Sequence, residues 1–209
     1  EAVKRFALVL LLGLLSPYAS AEEATCEPQD AGRAENRDGS VLTVQTDCAT
    51  PALRRYVATL TCEGGRTCDR LEVTQEVVYN TMGRAQLVDL DQDGMHEVEI
   101  RGMCGAGPNC EGEVYRIDPG TMTLRHFFSG GYYDLQVIDG WLVEAGRSSC
   151  CSWEFHLWQL DAPHALPLEY DTMDLMVQVS ASGDADTVDG VVCTVLRQSG
   201  DKSHVVAPP

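Results

Sequence analysis

From Val41 onward the chain is built of short runs in which apolar and polar residues alternate: "VLTVQT", "YVATLTC", "RLEVTQEVV", "AQLVDL", "HEVEI", "EVYRI", "MTLRHF", "YDLQVI", "WLVEA", "WEFHLWQL", "LMVQVS" and "GVVCTVL". A period of two puts successive side chains on opposite faces, so each run predicts a strand with one apolar face. Turn signals separate many of them, notably Asp118-Pro119-Gly120, Gly130-Gly131, Asp139-Gly140 and Asp189-Gly190. Helical periodicity is scarce, and "TPALRRY" at residues 50–56 is the best place for a helix. Many short strands at close spacing predict an all-β domain, either a small or incomplete β-propeller of antiparallel strands or a β-sandwich. The core domain is expected over residues 41–200, with a tail at 201–209. "DAPHALPLEYDTMD", with two prolines and little periodicity, predicts a long loop from residue 161 to 174.

The N-terminal stretch changes the compartment. Lys4 and Arg5 precede "FALVLLLGLL", and "SPYASA" supplies Ala19 and Ala21 as small residues before a cut, which predicts a secretory signal peptide over residues 1–21. The apolar run is short for a bilayer span, so no membrane association is expected once it is cleaved. The following "EEATCEPQDAGRAENRDGS" is charged and poor in apolar residues, which predicts a poorly ordered lead-in at 22–40, tethered at most by Cys26. Residues 1–21 carry Lys4, Arg5 and Glu1, a net +1, so the formal charge of −17 becomes −18 on cleavage. Such a chain repels nucleic acid and anionic membranes and favours cationic partners.

Nine cysteines in an exported chain predict a disulfide framework. "CEGGRTC" (Cys62, Cys68) and "CGAGPNC" (Cys104, Cys110) each close a short glycine-containing loop, worth roughly 2 kcal/mol apiece in the chain-entropy picture. Zinc fits less well, because CxxC spacing and companion histidines are missing. Cys150 and Cys151 are neighbours, and neighbours on a strand face opposite ways, so separate partners are expected for them. Cys26, Cys48 and Cys193 are the remaining candidates, and an odd total leaves at least one thiol unpaired.

Chemistry concentrates in "DLDQDGMHEVEI". Asp89, Asp91 and Asp93 stand at positions 1, 3 and 5 of a loop, Gly94 allows the bend at position 6, the Met95 carbonyl takes position 7 and Glu97 position 9. These offsets wrap oxygens around a hard cation, for which Ca2+ is the best fit. Position 12, where an EF-hand requires glutamate, is Ile100, and Val98 and Ile100 alternate with Glu97 and Glu99 as in a half-buried strand. An Asp-Gly turn with solvated acids is the competing interpretation. "GDADTVDG" spaces Asp184, Asp186 and Asp189 out of register for a second site of this kind.

An aspartate loop followed by a strand resembles the calcium loops of FG-GAP and VCBS repeats. The further order of "CGAGPNC", "EVYRIDPGTMTLRHF", a hairpin through Asp139-Gly140 and "CCSWEFHLWQLD" resembles a group of exported bacterial proteins. Their best understood relatives are incomplete-propeller periplasmic immunity proteins that inhibit lysozyme-type peptidoglycan hydrolases delivered by type IV secretion. The resemblance covers roughly a third of the chain. It implies a metal role for Asp89, Asp91, Asp93 and Glu97, and a basic peptidoglycan hydrolase as protein partner. Tyr132 and Tyr133, after Gly130-Gly131, are the nearest candidates for a partner-binding surface, unless they open a strand and pack inward. The cysteine count and the extension after Asp161 depart from the group.

GxSxG, HExxH and a phosphate-cradling glycine loop are all missing from the sequence. Cys151 and His156 form a conceivable nucleophile and base, but an oxidising compartment favours a disulfide for Cys151. A non-enzymatic periplasmic or secreted calcium-binding inhibitor is therefore expected, with a calcium-stabilised adhesion or surface-binding module as the alternative. A single convincing calcium loop favours the inhibitor, because adhesins chain many repeats.

Overall fold

The computed structural model describes residue 26 and residues 29–76, 83–105, 107–181, 191–199 and 202–206. The signal peptide and the "GDADTVDG" segment expected as a turn lie outside the described residues. Three antiparallel sheets follow one another along the chain. The first contains β1 (Gln29–Glu35), β2 (Val41–Thr50), β3 (Leu53–Thr61) and β4 (Thr67–Glu76). The second contains β5 (Arg84–Val88), β6 (Glu97–Cys104), β7 (Cys110–Asp118) and β8 (Thr123–Tyr132). The third contains β9 (Asp134–Ile138), β10 (Trp141–Ser149), β11 (Ser152–Gln159), β12 (Leu175–Ala181), β13 (Val191–Ser199) and β14 (Lys202–Val206). Within every sheet the strands lie in chain order, so each is an antiparallel meander, and the all-β arrangement does not close into a barrel.

Three expectations about elements are corrected. Residues 50–56 form the β2–β3 turn and the start of β3, because Leu53, Tyr56 and their neighbours pair in register with both β2 and β4. The segment read as a poorly ordered lead-in contains β1, which pairs with β2, and Asn36, which is buried. Backbone pairing there supplies the order that composition did not suggest. The tail contains β14, paired with β13.

Two apolar cores flank the second sheet. Leu42, Val44, Tyr56, Ala58 and Leu60 of the first sheet pack on Val98, Ile100, Tyr115, Ile117 and Leu124 of the second. On the other side Val114, Phe127, Phe128 and Tyr132 meet Leu135, Leu142 and Trp158 of the third sheet, together with Leu168. A bulge makes this double use possible. Val114 lies opposite Phe128 and Tyr115 opposite His126, so Phe127 is the extra residue, and the parity of β8 switches faces there. The loop at 161–174 is anchored on the edge of β8: Leu168 N–H donates to the Phe127 carbonyl (2.8 Å) and Ser129 N–H to the Leu168 carbonyl (3.1 Å).

Three disulfides form, Cys62–Cys68 and Cys104–Cys110 as expected, and Cys26–Cys48. Cys150 and Cys151 do not reach separate partners. They occupy the β10–β11 turn, where strand alternation does not apply, and their sulfurs lie 2.7 Å apart.

Candidate functional site

The loop joining β5 to β6 is shaped by its own acids. Asp89 accepts from the backbone N–H of Asp93 (3.0 Å) and of Gly94 (3.0 Å), Asp91 accepts from Asp93 N–H (3.3 Å), and Asp93 accepts from Met95 N–H (2.7 Å). Gly94 has φ of +82°, a left-handed conformation that costs glycine little. One carboxylate oxygen from each of Asp89, Asp91 and Asp93 lies within 4.8 Å of the others, and all three residues are half-buried. Three convergent carboxylates form an all-oxygen donor set of the kind hard divalent cations take. Met95 packs its side chain on the first core while its N–H holds Asp93.

Glu97 stands apart from this cluster, a correction to the four-carboxylate expectation. It is 2% exposed; Arg116 Nε donates to one of its oxygens (2.8 Å) and Leu90 N–H to the other (3.1 Å). Arg116 also reaches Asp91 (3.2 Å), so its guanidinium bridges Glu97 and one of the three aspartates. Burial pushes the Glu97 carboxyl above its ordinary value, and the Arg116 charge opposes that shift. The cause lies in the layering. With both faces of the second sheet covered, the polar parity of β6 is buried too, and Glu99 is likewise paired with Arg101 (3.3 Å) and with the Tyr132 hydroxyl, which donates to it (2.6 Å).

The same loop joins the sheets. Arg37, in the β1–β2 turn, donates its N–H to the Gly94 carbonyl (2.9 Å) and its guanidinium to the Asp93 carbonyl (2.8 Å). Asn36 accepts from His96 N–H (2.9 Å), and Val137 of β9 donates to the Leu90 carbonyl (3.3 Å).

The two tyrosines separate. Tyr132 is fully buried in the second core, under the Arg101 guanidinium (4.0 Å to its ring), and is corrected from the partner-binding candidates. Tyr133 is 56% exposed and meets Trp153 edge-on, with ring centroids 5.6 Å apart.

A cleft beside this segment was not anticipated. It has a volume of about 580 Å³, and Glu111, Glu113, Glu169 and Asp171 line it with Ser129, Gly130, Gly131 and Tyr170; among the described residues no lysine or arginine does. A smaller cavity of about 300 Å³ adjoins it across Tyr170 and Gly131 and holds Glu144, Glu154, His156 and Arg147. Glu144 is 1% exposed: the Tyr170 hydroxyl donates to it (2.8 Å), Gly131 N–H donates to it (3.2 Å), and His156 Nδ1 lies 2.9 Å away. Burial, then the neighbouring Glu144 charge, pushes the Tyr170 phenol up to about 12. One signal for Glu144 was available, since in "WLVEA" it shares the apolar parity of Leu142. Nothing local marks Tyr170, which arrives on the anchored loop.

Among the described residues, no helix is long and apolar enough to cross a membrane. No protein-family model matches the chain, and no curated protein matches it. Among solved structures it is similar to a Xanthomonas type IV secretion system related protein, with a TM-score of 0.52 and 15% identity, over 89% of this chain and 98% of that one; at that identity the likeness is one of fold.

Proposed function

We propose that the chain is a non-enzymatic, exported, calcium-binding inhibitor of a basic, lysozyme-type peptidoglycan hydrolase, working in the setting of type IV secretion. The observation that carries it is the cleft lined by Glu111, Glu113, Glu169 and Asp171, with no lysine or arginine in its lining among the described residues. Four carboxylates around one concavity suit the basic side chains of a cationic protein, and such complementarity speeds encounter and selects partners. The fold shared with a type IV secretion related protein supports the setting. The predicted signal peptide and three disulfides support an oxidising, extracytoplasmic location.

Asp89, Asp91 and Asp93 would hold the calcium ion, which supplies charge neutralisation to a loop tied to all three sheets. Sites in extracellular modules have dissociation constants of about 0.1–1 mM, and calcium at a hundred times that constant adds about 2.7 kcal/mol. Tyr170, 43% exposed, lines the cleft, and Tyr133, 56% exposed and two residues past Gly131, serves with it as an aromatic anchor at its rim.

The test measures cell-wall turbidity loss by basic lysozyme-like enzymes with stoichiometric protein. The wild type should block hydrolysis without consuming substrate, and the double charge reversal Glu111→Lys, Asp171→Lys, at exposed positions, should weaken inhibition at least tenfold while leaving the fold intact. Inhibition that is unchanged in the variant removes the cleft from the account. No slowed hydrolase, together with calcium-dependent binding to glycans or cells, favours an adhesion module.

A further inference from the structure

All nine cysteines lie among the described residues, and six of them form the three framework disulfides. Cys150, Cys151 and Cys193 remain, all exposed. The β10–β11 turn fixes the backbone of the first two while leaving their side chains in solvent. Arg147 donates to the Cys150 carbonyl (2.8 Å), Ala181 N–H to the Cys151 carbonyl (3.4 Å), and Cys151 N–H to the Ser149 hydroxyl (3.3 Å). Their sulfurs are 2.7 Å apart.

Cys193 cannot compete for either sulfur. It lies opposite Val179 on β12, which lies opposite Trp153 on β11. Two strand spacings therefore separate it from β11, about 10 Å, against a Cα limit of roughly 7 Å for a disulfide. Each member of the turn pair thus has one sulfur within reach, its neighbour.

We propose that Cys150 and Cys151 are a vicinal two-sulfur site: disulfide donors oxidise it to an eight-membered ring, and in its dithiol form it chelates thiophilic species such as trivalent arsenicals. Closure proceeds by thiol–disulfide exchange. The Cys150 thiolate, its proton lost to solvent, attacks one sulfur of a donor R–S–S–R, giving a mixed disulfide and releasing R–S⁻. The Cys151 thiolate then attacks the Cys150 sulfur, closing the ring and expelling the second R–S⁻. Two protein S–H bonds are lost, one protein S–S bond forms, and the donor is reduced to two thiols. The same balance holds with the two sulfurs exchanged, since they lie in mutual contact in one exposed turn.

The site borders a recognisable surface. The Arg147 guanidinium lies over the Trp153 ring (5.4 Å), Trp153 contacts exposed Tyr133, and Arg147 lines the smaller cavity. Ring closure pins the turn from which Arg147 is held.

The experiment uses the full chain, purified without reductant and equilibrated with oxidised glutathione, then denatured and alkylated. At most one alkyl group per chain is expected, at Cys193, which otherwise carries a single glutathione as a mixed disulfide, with the peptide spanning Cys150 and Cys151 about 2 Da lighter than its dithiol form and free of glutathione. After reduction, phenylarsine oxide should bind wild type and Cys193→Ser with one more equivalent than Cys150→Ser. Three alkylated cysteines, a link from either turn cysteine to Cys193 or to a second chain, or equal arsenical uptake by Cys150→Ser overturns the proposal.

Discussion

Replacing Arg116 by Met keeps most of its packing over Phe127, 4.2 Å from guanidinium carbon to ring centroid, and removes only the charge and its hydrogen bonds. Glu97 would then be a carboxylate 2% exposed with one remaining donor, Leu90 N–H. Breaking a buried pair from one side costs about 3–5 kcal/mol. Two features reduce this: the Arg116 side chain is 28% exposed, so water screens the pair, and Glu97 can take up a proton. The expected loss is about 2–3 kcal/mol at pH 7 in chelator, or a melting point lower by about 4–12 °C for a domain of this size. The pH dependence has a definite sign. Glu97 has a folded pKa above its unfolded value near 4.5, so its contribution is fully present below 4.5 and is lost as pH rises through the folded value. Without Arg116 that value rises further, so the deficit of the variant should be larger at pH 8 than at pH 5. Urea unfolding of wild type, Arg116→Met, Glu97→Gln and the double variant closes a cycle, and the double should lose less than the two singles together. If calcium binds the aspartates, Arg116→Met should also gain more from it than wild type does, because guanidinium and cation compete for Asp91. Additive singles, or an Arg116→Met variant within about 0.5 kcal/mol of wild type at pH 8, would refute a buried, charge-dependent pair.

Asp93→Ala should remove the calcium-induced rise in melting point, while the chelated forms of variant and wild type melt within a few degrees of each other; equal calcium responses in differential scanning fluorimetry exclude the loop. Gly130→Ala would bring a methyl group to 2.6 Å from Phe128 and 2.7 Å from a Glu144 oxygen, and overpacking of that kind costs about 1–3 kcal/mol in urea unfolding. Tyr170, with a phenol pushed up to about 12 by burial, contributes stability that is present below its unfolded value of 10 and is lost between 10 and 12; Tyr170→Phe should flatten unfolding free energy against pH over that range.

What could be read from the sequence follows the range of the interactions. Period-two patterning marks strands because each strand carries its own record of one buried face, and Leu42, Val44, Tyr56, Ala58 and Leu60 alternate as read. The loop at Asp89 was legible because its acids cap backbone N–H groups two to five residues away. Glu97 was misassigned because its partner is nineteen residues distant on another strand. Alternation says which residues share a face, but not whether a second sheet covers the opposite one. The bulge at Phe127 is likewise invisible, since "LRHFFSGGY" has apolar residues at both parities and only pairing with β7 decides which one is extra. The cleft needed still more, because Leu168 must dock on β8 before Glu169, Tyr170 and Asp171 come to face Glu111 and Glu113.

Net charge alone does not say where on the surface the acid is concentrated. Of fifteen Lys and Arg residues, Arg101 and Arg116 are committed to buried Glu99 and Glu97. Arg37, Arg55 and Arg125 are held by Asp93, Asp47 and Asp118. These arginines are held by the fold and the loop, and among the described residues no lysine or arginine lines the cleft. A basic partner therefore meets a field set by distribution rather than by the total of −17. Its association rate should fall steeply as added salt shortens the Debye length below about 10 Å, whereas the dissociation rate, governed by contacts inside the cleft, should change little. Stopped-flow association at several ionic strengths separates the two, and a salt-independent association rate would remove long-range steering from the account of this surface.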